Sequence, residues 1–369
     1  MENYIKKKQI KCIVSGGKTG GHLIPGIAVY EELKKNGIEV KYILNATDVK
    51  FPVVDRIAVE DRIFVNISSI SRKISFRTFI DIIKLLKTFF SVFGKIKIFN
   101  PDFVIITGGY ISNPVALSAI LLFKPLYILE QNSIAGITNR FYSIFARKIF
   151  TSFEATKKIP SKKSEFTGNP ILFTHSVERS EAKKFFGIEG DFVLGITTGS
   201  QGARVVNDVV YEIVEEIPKE ISVIWSIGAV EFERFKREGY LSKLENLLNV
   251  KFYPFIERMD LFYSIVDMLI SRAGATTIAE IMNFKIPTIF IPIKNSPDNH
   301  QFLNANTLVQ KGLAFLIEED KFSKETLIEK INLMKNRIVE FKSNFSKIKP
   351  LSGKRPQQII VEKILSLER

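Results

Sequence analysis

Four short turns carry the residue types that could hold a charged ligand. Each is rich in glycine and small polar residues: 15–22 (SGGKTGGH), 108–114 (GGYISNP), 199–204 (GSQGAR) and 271–277 (SRAGATT). Glycine lets a ligand approach the backbone, and the N–H groups at the start of a helix favour an anion. The first turn is not a P-loop, because His22 and Leu23 stand where lysine and a hydroxyl residue are required. The turns therefore predict a backbone site for an anion, or serve only as tight connections from strand to helix.

The chain alternates short apolar runs with helical patterns, in two series. Strands are predicted at 9–14, 38–44, 103–107, 126–129 and 148–151, and again at 192–197, 222–227, 250–255, 267–271 and 286–293. Helices are predicted at 25–36, 114–123, 204–217 and 276–283. This order favours two doubly wound α/β domains, joined near residues 167–170, where a glycine and an Asn-Pro pair interrupt regular structure. Because ligands bind at the carboxyl ends of parallel strands, we expect the four turns to face one cleft, as in a group transferase with an activated nucleotide donor.

The composition excludes several classes of protein. A chain of 369 residues, 46% hydrophobic and 25% charged, suits two globular domains and argues against a disordered or fibrous protein. The single cysteine, Cys12, leaves no internal disulfide and no cysteine-based metal site. Of the net charge of +14, residues 1–167 carry +13, which predicts an anionic partner for the first half. No nucleic-acid-binding motif accompanies this charge, so a membrane surface or a phosphorylated substrate is favoured over nucleic acid.

Six ordered sequence blocks resemble a known enzyme family. They are GGKTGGHLIPGIAV, GGYISNPVAL, LEQNSIAGITNR, TGNPI, GSQGARVVN, and the run from SRAGATTIAEI through IPTIFIPI to DNHQFLNA. In this order, and over about residues 10–320, they are similar to the MurG-type glycosyltransferases. Enzymes of that family add N-acetylglucosamine (GlcNAc) from UDP-GlcNAc to undecaprenyl-pyrophosphoryl-MurNAc-pentapeptide (lipid I), which makes lipid II for peptidoglycan.

The resemblance implies a fold, a reaction and a location. The fold is GT-B, with two Rossmann-like domains facing a central cleft. The reaction is an inverting transfer to the 4-hydroxyl of MurNAc, without a catalytic metal or another cofactor, by a peripheral enzyme at the cytoplasmic face of the bacterial membrane. Residues 1–167 would bind the acceptor and the membrane, and residues 168–349 would bind UDP-GlcNAc. A C-terminal helix at about 350–369 would pack back on the first domain through an apolar stripe.

The resemblance assigns the acceptor side to the first domain. His22 would be the general base that takes the proton of the MurNAc 4-hydroxyl, and imidazole suits this role because it titrates near neutral pH. A histidine at a helix start could instead only bond to a neighbour, and Asn132 could be only a turn residue. The residues implied to bind the acceptor are Thr19, Gly20, Gly21, Tyr110 and Asn132.

The donor side falls in the second domain. The turn after the strand 192–197 would receive the diphosphate at a helix N-terminus, and Glu280 would accept hydrogen bonds from the ribose hydroxyls. Gln301 offers both a donor and an acceptor to a sugar hydroxyl. Ile256 and Met259 match the segment beside the uracil, although apolar residues are about as often ordinary core. The full set implied for UDP-GlcNAc is Gly199, Ser200, Gln201, Gly202, Ile256, Met259, Ala275, Thr276, Glu280, His300, Gln301 and Asn304.

Four positions depart from the pattern of the family. Lys18 stands where glycine is usual, and its charge would either help to hold the acceptor pyrophosphate or point to solvent. Asn113 stands where a second small glycine is common. Leu172 stands where an arginine is frequent, and His300 replaces one of a pair of glutamines on the side of the donor sugar. None of the four removes the predicted base.

The segment 71–98 predicts an amphipathic helix at a membrane surface. It reads SRKISFRTFIDIIKLLKTFFSVFGKIKI and is too charged for a transmembrane span. Apolar residues recur at helical spacing, with lysines on another side: Phe79, Ile82, Ile83, Leu86, Phe89, Phe90 and Phe93 against Lys84, Lys87 and Lys95. The helix could dock on an anionic membrane or pack on the core with a solvated charged face, and the same stripe fits both.

Two other functions fit parts of the sequence. A GT-B transferase acting on another membrane lipid, such as a diacylglycerol, would share the donor site, but the GGY and EQN blocks on the acceptor side favour lipid I. A nucleotide-sugar-binding protein without activity would be expected to lack His22, Glu280 or Gln301, which are all present. The sequence therefore favours the transferase that forms lipid II.

Overall fold

The chain forms two compact units. The computed structural model describes residues 9–67, 76–348 and 352–368, and of residues 76–85 only the backbone. The first unit comprises Met1–Leu172 with Leu351–Arg369, and the second comprises Phe173–Pro350. The sequence places this boundary earlier, at residue 167. The difference has a physical reason, because Leu172 packs against the core of the first unit.

The first unit is built on a parallel sheet of seven strands. They are β1 (Lys11–Ser15), β2 (Glu39–Asn45), β3 (Arg62–Val65), β4 (Phe103–Ile106), β5 (Leu126–Glu130), β6 (Lys148–Thr151) and β7 (Ser164–Phe166). Their order in the sheet is β3-β2-β1-β4-β5-β6-β7. The middle strands are continuous apolar runs, such as FVII in β4, because helices cover both faces of a parallel sheet. Their carboxyl ends lie along one edge, where the turns after β1, β4 and β5 meet.

Four helices join these strands in the described part of the first unit. They are α1 (Gly20–Lys35), α2 (Phe76–Phe99), α3 (Ser112–Leu121) and α4 (Ile137–Tyr142). Helix α1 begins before Pro25, where the sequence places its start. The reason is that the His22 and Leu23 N–H groups already close a turn on the Thr19 carbonyl, so the proline removes only one bond inside the helix. His22 therefore lies in the first turn of α1.

The second unit repeats the same topology with six strands. They are β8 (Phe192–Thr197), β9 (Ile221–Ser226), β10 (Val250–Tyr253), β11 (Met268–Ser271), β12 (Thr288–Phe290) and β13 (Ala314–Leu316), in the order β10-β9-β8-β11-β12-β13. Its helices are α5 (Arg179–Phe186), α6 (Arg204–Ile213), α7 (Ala229–Arg237), α8 (Tyr240–Glu245), α9 (Met259–Ile265), α10 (Ala275–Phe284), α11 (His300–Val309), α12 (Lys324–Asn336) and α13 (Ile338–Ser346). Both units are thus doubly wound parallel sheets, which confirms the α/β fold class expected from the sequence.

A last helix, α14 (Pro356–Leu367), follows the second unit and packs on α1 of the first. Ile360, Val361 and Ile364 are buried in the core of the first unit. At the end of the helix, the Glu368 carboxylate accepts a hydrogen bond from the Tyr127 hydroxyl and pairs with Arg147 at 3.1 Å. Residues distant in sequence therefore complete the first core.

In the described half of α2, residues 86–99, the buried face coincides only in part with the predicted apolar stripe, of which Phe89 and Phe93 are half-buried. Val92 and Ile96 are buried against the sheet, whereas Leu86 and Phe90 of the predicted stripe are exposed. The part of the predicted segment from 71 to 75 lies outside the described residues, as do the side chains of residues 76–85. Among the described residues, no helix is both long and apolar enough to cross a membrane. The described half of α2 thus combines a core face with exposed apolar residues.

The packing of α14 generates a stability prediction. Ile364→Ala removes a fully buried side chain and should lower the free energy of unfolding by about 2–5 kcal/mol. Leu367→Ala, at an exposed position near the end of the same helix, should change the free energy of unfolding by less than about 1 kcal/mol. Urea unfolding followed by circular dichroism measures both. Equal stability of Ile364→Ala and the wild-type protein would contradict the packing of α14.

Candidate active site

The first glycine-rich turn fits closely against the ends of two neighbouring strands. A side chain on Gly16 would place its Cβ 1.7 Å from the Thr107 hydroxyl oxygen, and one on Gly17 would come within 2.2 Å of an Asp48 carboxylate oxygen. Thr107 follows β4 and Asp48 follows β2. Only glycine fits at these two positions, so the turn after β1 is fixed by close contact on both sides.

Asp48 holds this turn through the backbone. Its buried carboxylate accepts the N–H of Lys18 at 2.8 Å and the N–H of Asn45 at 3.0 Å. Burial raises the pKa of Asp48, and the two N–H bonds act in the opposite direction. Lys18 takes a left-handed conformation with φ of 74°, which explains why glycine would suit this position. Its Nζ lies 5.2 Å from the centroid of the Tyr110 ring, so the charge stands beside a residue predicted to face the acceptor.

His22 is oriented by hydrogen bonds to its Nδ1. That atom lies 2.8 Å from the Thr107 carbonyl oxygen and 3.2 Å from the Gln131 side-chain oxygen. A carbonyl oxygen can only accept, so Nδ1 carries the proton and Nε2 is the basic nitrogen of the neutral ring. The Thr107 hydroxyl also donates to the His22 carbonyl at 2.9 Å. The arrangement gives His22 the tautomer that a general base acting through Nε2 requires.

Asn132 belongs to a loop held by a second buried carboxylate. Glu130 accepts the N–H of Asn132 at 2.9 Å, the N–H of Gly136 at 3.1 Å and the Asn139 side-chain amide at 2.8 Å. Burial raises the pKa of Glu130, while these bonds favour the charged form. The Asn139 amide oxygen is buried, and it has no hydrogen-bond partner among the described residues. The loop that carries Asn132 therefore has a fixed backbone, with Asn132 itself half-buried.

The residues predicted on the acceptor side gather at one edge of the first sheet. Thr19 precedes α1, Gly20 and Gly21 form its first turn with His22, and Tyr110 is 48% exposed in the turn after β4. The Asn113 side chain, one of the departures, donates to the Tyr110 carbonyl at 3.2 Å. Sequence reasoning did not identify Asp48, Glu130, Gln131 and Asn139 as parts of the site. Their position directly after strands or in the EQN block was the available signal.

The turn after β8 is fixed as tightly as the first. Gly202 has φ of 89°, and a Cβ there would come within 2.5 Å of the Ile227 carbonyl oxygen. That carbonyl also accepts the Thr198 hydroxyl at 2.8 Å and the Asn207 amide at 2.9 Å. Gly199, Ser200 and Gln201 are exposed at the tip of the turn, directly before α6. The exposed tip at a helix start is suited to an anion, as predicted for the diphosphate.

Glu280 lies deeper than its predicted role suggests. It is 5% exposed on α10, and its Oε2 accepts the Tyr263 hydroxyl at 2.9 Å. Burial raises the pKa of Glu280 to about 7, although the bond from Tyr263 lowers it. Ala275 and Thr276, in the first turn of the same helix, are also buried. The ribose contact of Glu280 stays a prediction.

The remaining donor residues differ in exposure. Ile256 is buried and Met259 is half-buried at the start of α9, so the alternative of ordinary core stays open for Ile256. His300 begins α11 with its Nδ1 2.7 Å from the Pro297 carbonyl. Gln301 is half-buried, and its side-chain oxygen accepts the Ile293 N–H at 3.1 Å. Because the oxygen is engaged, the amide N–H groups are the part best placed to donate to a sugar hydroxyl. Asn304 is wholly buried, and its sugar contact stays a prediction.

Arg272 links the turn after β11 to the segment that precedes α11. Its guanidinium donates to the Ile291 carbonyl at 2.9 Å and pairs with Glu319 at 2.6 Å. Glu319 in turn accepts the Lys294 N–H at 3.0 Å. The Arg272 Nε is buried, and within the part of the chain that the structure describes it has no hydrogen-bond partner. This arginine was not identified from the sequence, because its partners lie after two later strands.

Comparisons with known proteins match both units. Residues 12–151 match the glycosyltransferase family 28 N-terminal domain, and residues 193–354 match the glycosyltransferase family 28 C-terminal domain. A relative from Sulfurihydrogenibium sp. (strain YO3AOP1) is 35% identical over 361 residues, covering 96% of this chain and 98% of its own. A relative from Bacillus cytotoxicus is 34% identical, covering 88% of this chain and 90% of its own. Both are named UDP-N-acetylglucosamine–N-acetylmuramyl-(pentapeptide) pyrophosphoryl-undecaprenol N-acetylglucosamine transferase.

Solved structures share the fold. MurG of Acinetobacter baumannii has a TM-score of 0.73 at 24% identity, covering 97% of this chain and 99% of its own. The UDP-GlcNAc 2-epimerase of Neisseria meningitidis, bound to UDP-GlcNAc, has a TM-score of 0.68 at 16% identity, covering 97% of this chain and 100% of its own. The fold class predicted from the sequence is thus confirmed by the sheets and by these likenesses.

The burial of Glu280 predicts a dependence of stability on pH. The pKa of Glu280 rises from 4.5 to about 7 on folding. Between these two pH values the folded state binds a proton that the unfolded state has lost, so the free energy of unfolding falls as the pH rises through this range. Glu280→Gln removes the titrating group. Its free energy of unfolding should equal that of the wild type near pH 4.5 and exceed it by about 3 kcal/mol above about pH 8. Urea unfolding across this range measures the difference. A variant whose stability parallels that of the wild type at every pH would contradict the raised pKa.

Proposed function

The chain belongs to the family of UDP-N-acetylglucosamine–N-acetylmuramyl-(pentapeptide) pyrophosphoryl-undecaprenol N-acetylglucosamine transferases, and we propose that it transfers GlcNAc from UDP-GlcNAc to the 4-hydroxyl of MurNAc in lipid I, which forms lipid II. The observation that carries this proposal is the orientation of His22. Its Nδ1 faces the Thr107 carbonyl at 2.8 Å, so the ring offers a basic Nε2 in the turn predicted to meet the acceptor.

The transfer is a single displacement with inversion at the anomeric carbon. Nε2 of His22 takes the proton of the 4-hydroxyl while that oxygen forms a bond to the anomeric carbon. The bond from this carbon to the β-phosphate oxygen breaks, and UDP leaves with the electron pair. The imidazolium keeps its Nδ1 proton on the Thr107 carbonyl. Charge on the leaving diphosphate is stabilised by the backbone of the turn 199–203, so the proposal includes no metal.

The acceptor side is supported by charge and exposure. The first turn of α1 offers N–H groups to the pyrophosphate of lipid I, and Lys18 adds a cation beside the exposed Tyr110 ring. Asn132 stands on the loop that Glu130 fixes, within the same edge of the sheet. In this proposal Lys18 takes the first of the two roles open to it, and holds the pyrophosphate.

The donor side is supported by the second unit. The exposed Ser200 and Gln201 receive the diphosphate, and the amide of Gln301 reads a hydroxyl of GlcNAc. Glu280 accepts the ribose hydroxyls, in addition to the bond it receives from Tyr263. A structural neighbour with this fold is bound to UDP-GlcNAc, which supports the same donor for this chain.

A membrane surface is proposed on the helices α2, α3 and α4. Helix α3 packs against both of the others. Large apolar side chains are exposed on all three helices and on the residues that follow α3 and α4. These exposed residues are Leu86, Phe90, Leu117, Leu121, Phe123, Ile137, Phe141, Ile144 and Phe145. The same segments carry the basic residues Lys87, Lys95, Lys124, Arg140 and Arg147. Apolar residues accompanied by basic ones suit docking on an anionic leaflet, which supports a peripheral position at the cytoplasmic face of the membrane.

The proposed base generates a prediction about turnover. His22→Ala should lower turnover by about 10²–10⁴-fold, because a general base typically contributes this much. The affinity for UDP should stay unchanged, since the proposed contacts to UDP lie in the second unit. Labelled UDP-GlcNAc and a lipid I analogue measure the transfer, and calorimetry measures UDP binding.

His175→Ala is the matched control for this prediction. His175 is exposed in the second unit and has no part in the proposed reaction, so its replacement should leave turnover unchanged. Full activity of His22→Ala would show that another group takes the proton. Absence of the disaccharide product with the wild-type protein would count against the transferase itself.

The proposed membrane surface generates a prediction about vesicle binding. Phe123 and Phe141 are 94% and 64% exposed, and replacing both by Ser should weaken binding to phosphatidylglycerol vesicles by at least about tenfold, because each buried phenylalanine contributes about 1.5–3 kcal/mol. Leu248→Ser, at a 91% exposed position of the second unit, is the control and should bind as the wild type does. Sedimentation with vesicles measures both. Equal binding of all three proteins would place the membrane contact elsewhere.

A further inference from the structure

Gln131 contacts the proposed base but has no part in the reaction as described. It is buried, and it directly follows Glu130, the last residue of β5. Its side-chain oxygen lies 3.2 Å from the His22 Nδ1, and its side-chain nitrogen donates to the Leu129 carbonyl at 2.9 Å. Gln131 thus connects the ring of His22 to the backbone at the end of β5.

The chemistry of these partners fixes which way the Gln131 amide points. The Leu129 carbonyl can only accept, so it must face the amide nitrogen, and the amide oxygen must then face His22. The Nδ1 of His22 therefore meets two acceptors, the Thr107 carbonyl and the Gln131 oxygen. Two acceptors on one ring nitrogen require that this nitrogen keeps its proton, in the neutral ring and in the imidazolium.

We propose that Gln131 is a positioning residue that holds His22 in the Nδ1–H tautomer and stabilises the imidazolium formed when Nε2 takes the proton of the acceptor. This inference rests on the proposed role of His22 as the base. The Thr107 carbonyl defines the direction of Nδ1, and the Gln131 oxygen adds a second acceptor on the side of the neighbouring loop. Stabilising the protonated ring strengthens Nε2 as a base.

The same contact couples the base to the loop that carries Asn132. Gln131 lies between Glu130 and Asn132, and the Glu130 carboxylate holds the N–H of Asn132 at 2.9 Å. The Asn139 amide donates both to Glu130 at 2.8 Å and to the Leu129 carbonyl that Gln131 uses, at 3.0 Å. A shift of this loop when lipid I binds would therefore move the Gln131 oxygen, which is the second hydrogen-bond partner of the His22 Nδ1. Positioning of the base and binding of the acceptor share one hydrogen-bonded loop.

Charged or titratable groups lie on each described element around His22, and those on β2 include the buried Tyr42. Lys18 is on its own turn, Asp48 follows β2, Tyr110 is in the turn after β4, and Glu130 ends β5. Asp48 and Glu130 are engaged by backbone N–H groups, and Lys18 lies over the Tyr110 ring. Replacing Gln131 leaves all of these groups in the protein, so a change in the titration of His22 between variants reports on position 131.

The test uses the nitrogen resonances of the full-length protein labelled with ¹⁵N-histidine. The chain has 3 histidines, and His175→Gln and His300→Gln assign the other two. At alkaline pH the wild type should show Nδ1 protonated and Nε2 bare in His22. Gln131→Glu places a carboxylate at the same position and should raise the midpoint of the His22 titration by about 0.5–1 pH unit. Gln131→Met removes the acceptor and should lower this midpoint.

Activity provides a second readout of the same variants. The acid limb of kcat/KM should move to higher pH in Gln131→Glu and to lower pH in Gln131→Met, with the KM for UDP-GlcNAc unchanged. Turnover of Gln131→Met should fall by about tenfold, the order expected when one of two hydrogen bonds to a charged group is lost. Gln131→Glu keeps the shape of the side chain but loses the N–H that donates to the Leu129 carbonyl. The tautomer of His22 in the wild-type protein therefore tests the inference even if neither variant folds.

Three results would overturn the inference. The first is an Nε2–H tautomer of His22 in the wild-type protein, which requires no variant to detect. The second is a His22 titration that is the same in the wild type and in both variants. The third is an equal loss of turnover in both variants without a change in the pH profile, which is what a merely structural role predicts. A correct tautomer in a wild type that transfers no GlcNAc would instead count against the proposed function.

Discussion

The paired contact between Thr107 and His22 is the constraint on which the rest of the first unit's site depends. The Thr107 hydroxyl donates to the His22 carbonyl at 2.9 Å, and the Thr107 carbonyl lies 2.8 Å from the His22 Nδ1. One residue at the end of β4 thereby fixes both the start of α1 and the direction of its imidazole. The glycine at position 16 follows from this contact, because a Cβ there would overlap the Thr107 hydroxyl. The contacts of Thr107 therefore hold the glycine-rich turn, the start of α1 and the imidazole of His22 together.

Two buried carboxylates serve the same purpose on either side of this contact. Asp48 and Glu130 each accept backbone N–H groups of a turn at the carboxyl edge of the sheet. Burial disfavours the charge of each carboxylate, and the N–H bonds offset that penalty. This device fixes the loop backbones and leaves the side chains of Lys18 and Tyr110 exposed at the surface of the site. In the second unit, the carbonyl of Ile227 instead accepts two side chains that flank the turn before α6, the Thr198 hydroxyl and the Asn207 amide.

The sequence predicts the parts of this structure that are set locally. Apolar runs such as 192–197 mark the strands, and glycine-rich turns mark their carboxyl ends, because both signals lie within a few residues. The sequence places the start of α1 too late, because Pro25 is a common first-turn residue and nothing local shows that the helix begins earlier. Sequence patterns do not reveal the roles of Gln131 and Asp48, because these roles depend on partners 109 and 30 residues away. The depth of Glu280 was likewise not visible, since it depends on the packing of Tyr263.

The return of α14 to the first unit has a consequence for how the chain is made. A ribosome releases residues in order, so Phe173–Pro350 emerge completely before the helix that closes the first core. Until Ile360, Val361 and Ile364 leave the exit tunnel, the apolar side of α1 that they cover has no partner from α14. During this interval the first unit has an open hydrophobic face on α1. Nascent chains of this protein therefore present their earliest unit to chaperones for the longest time.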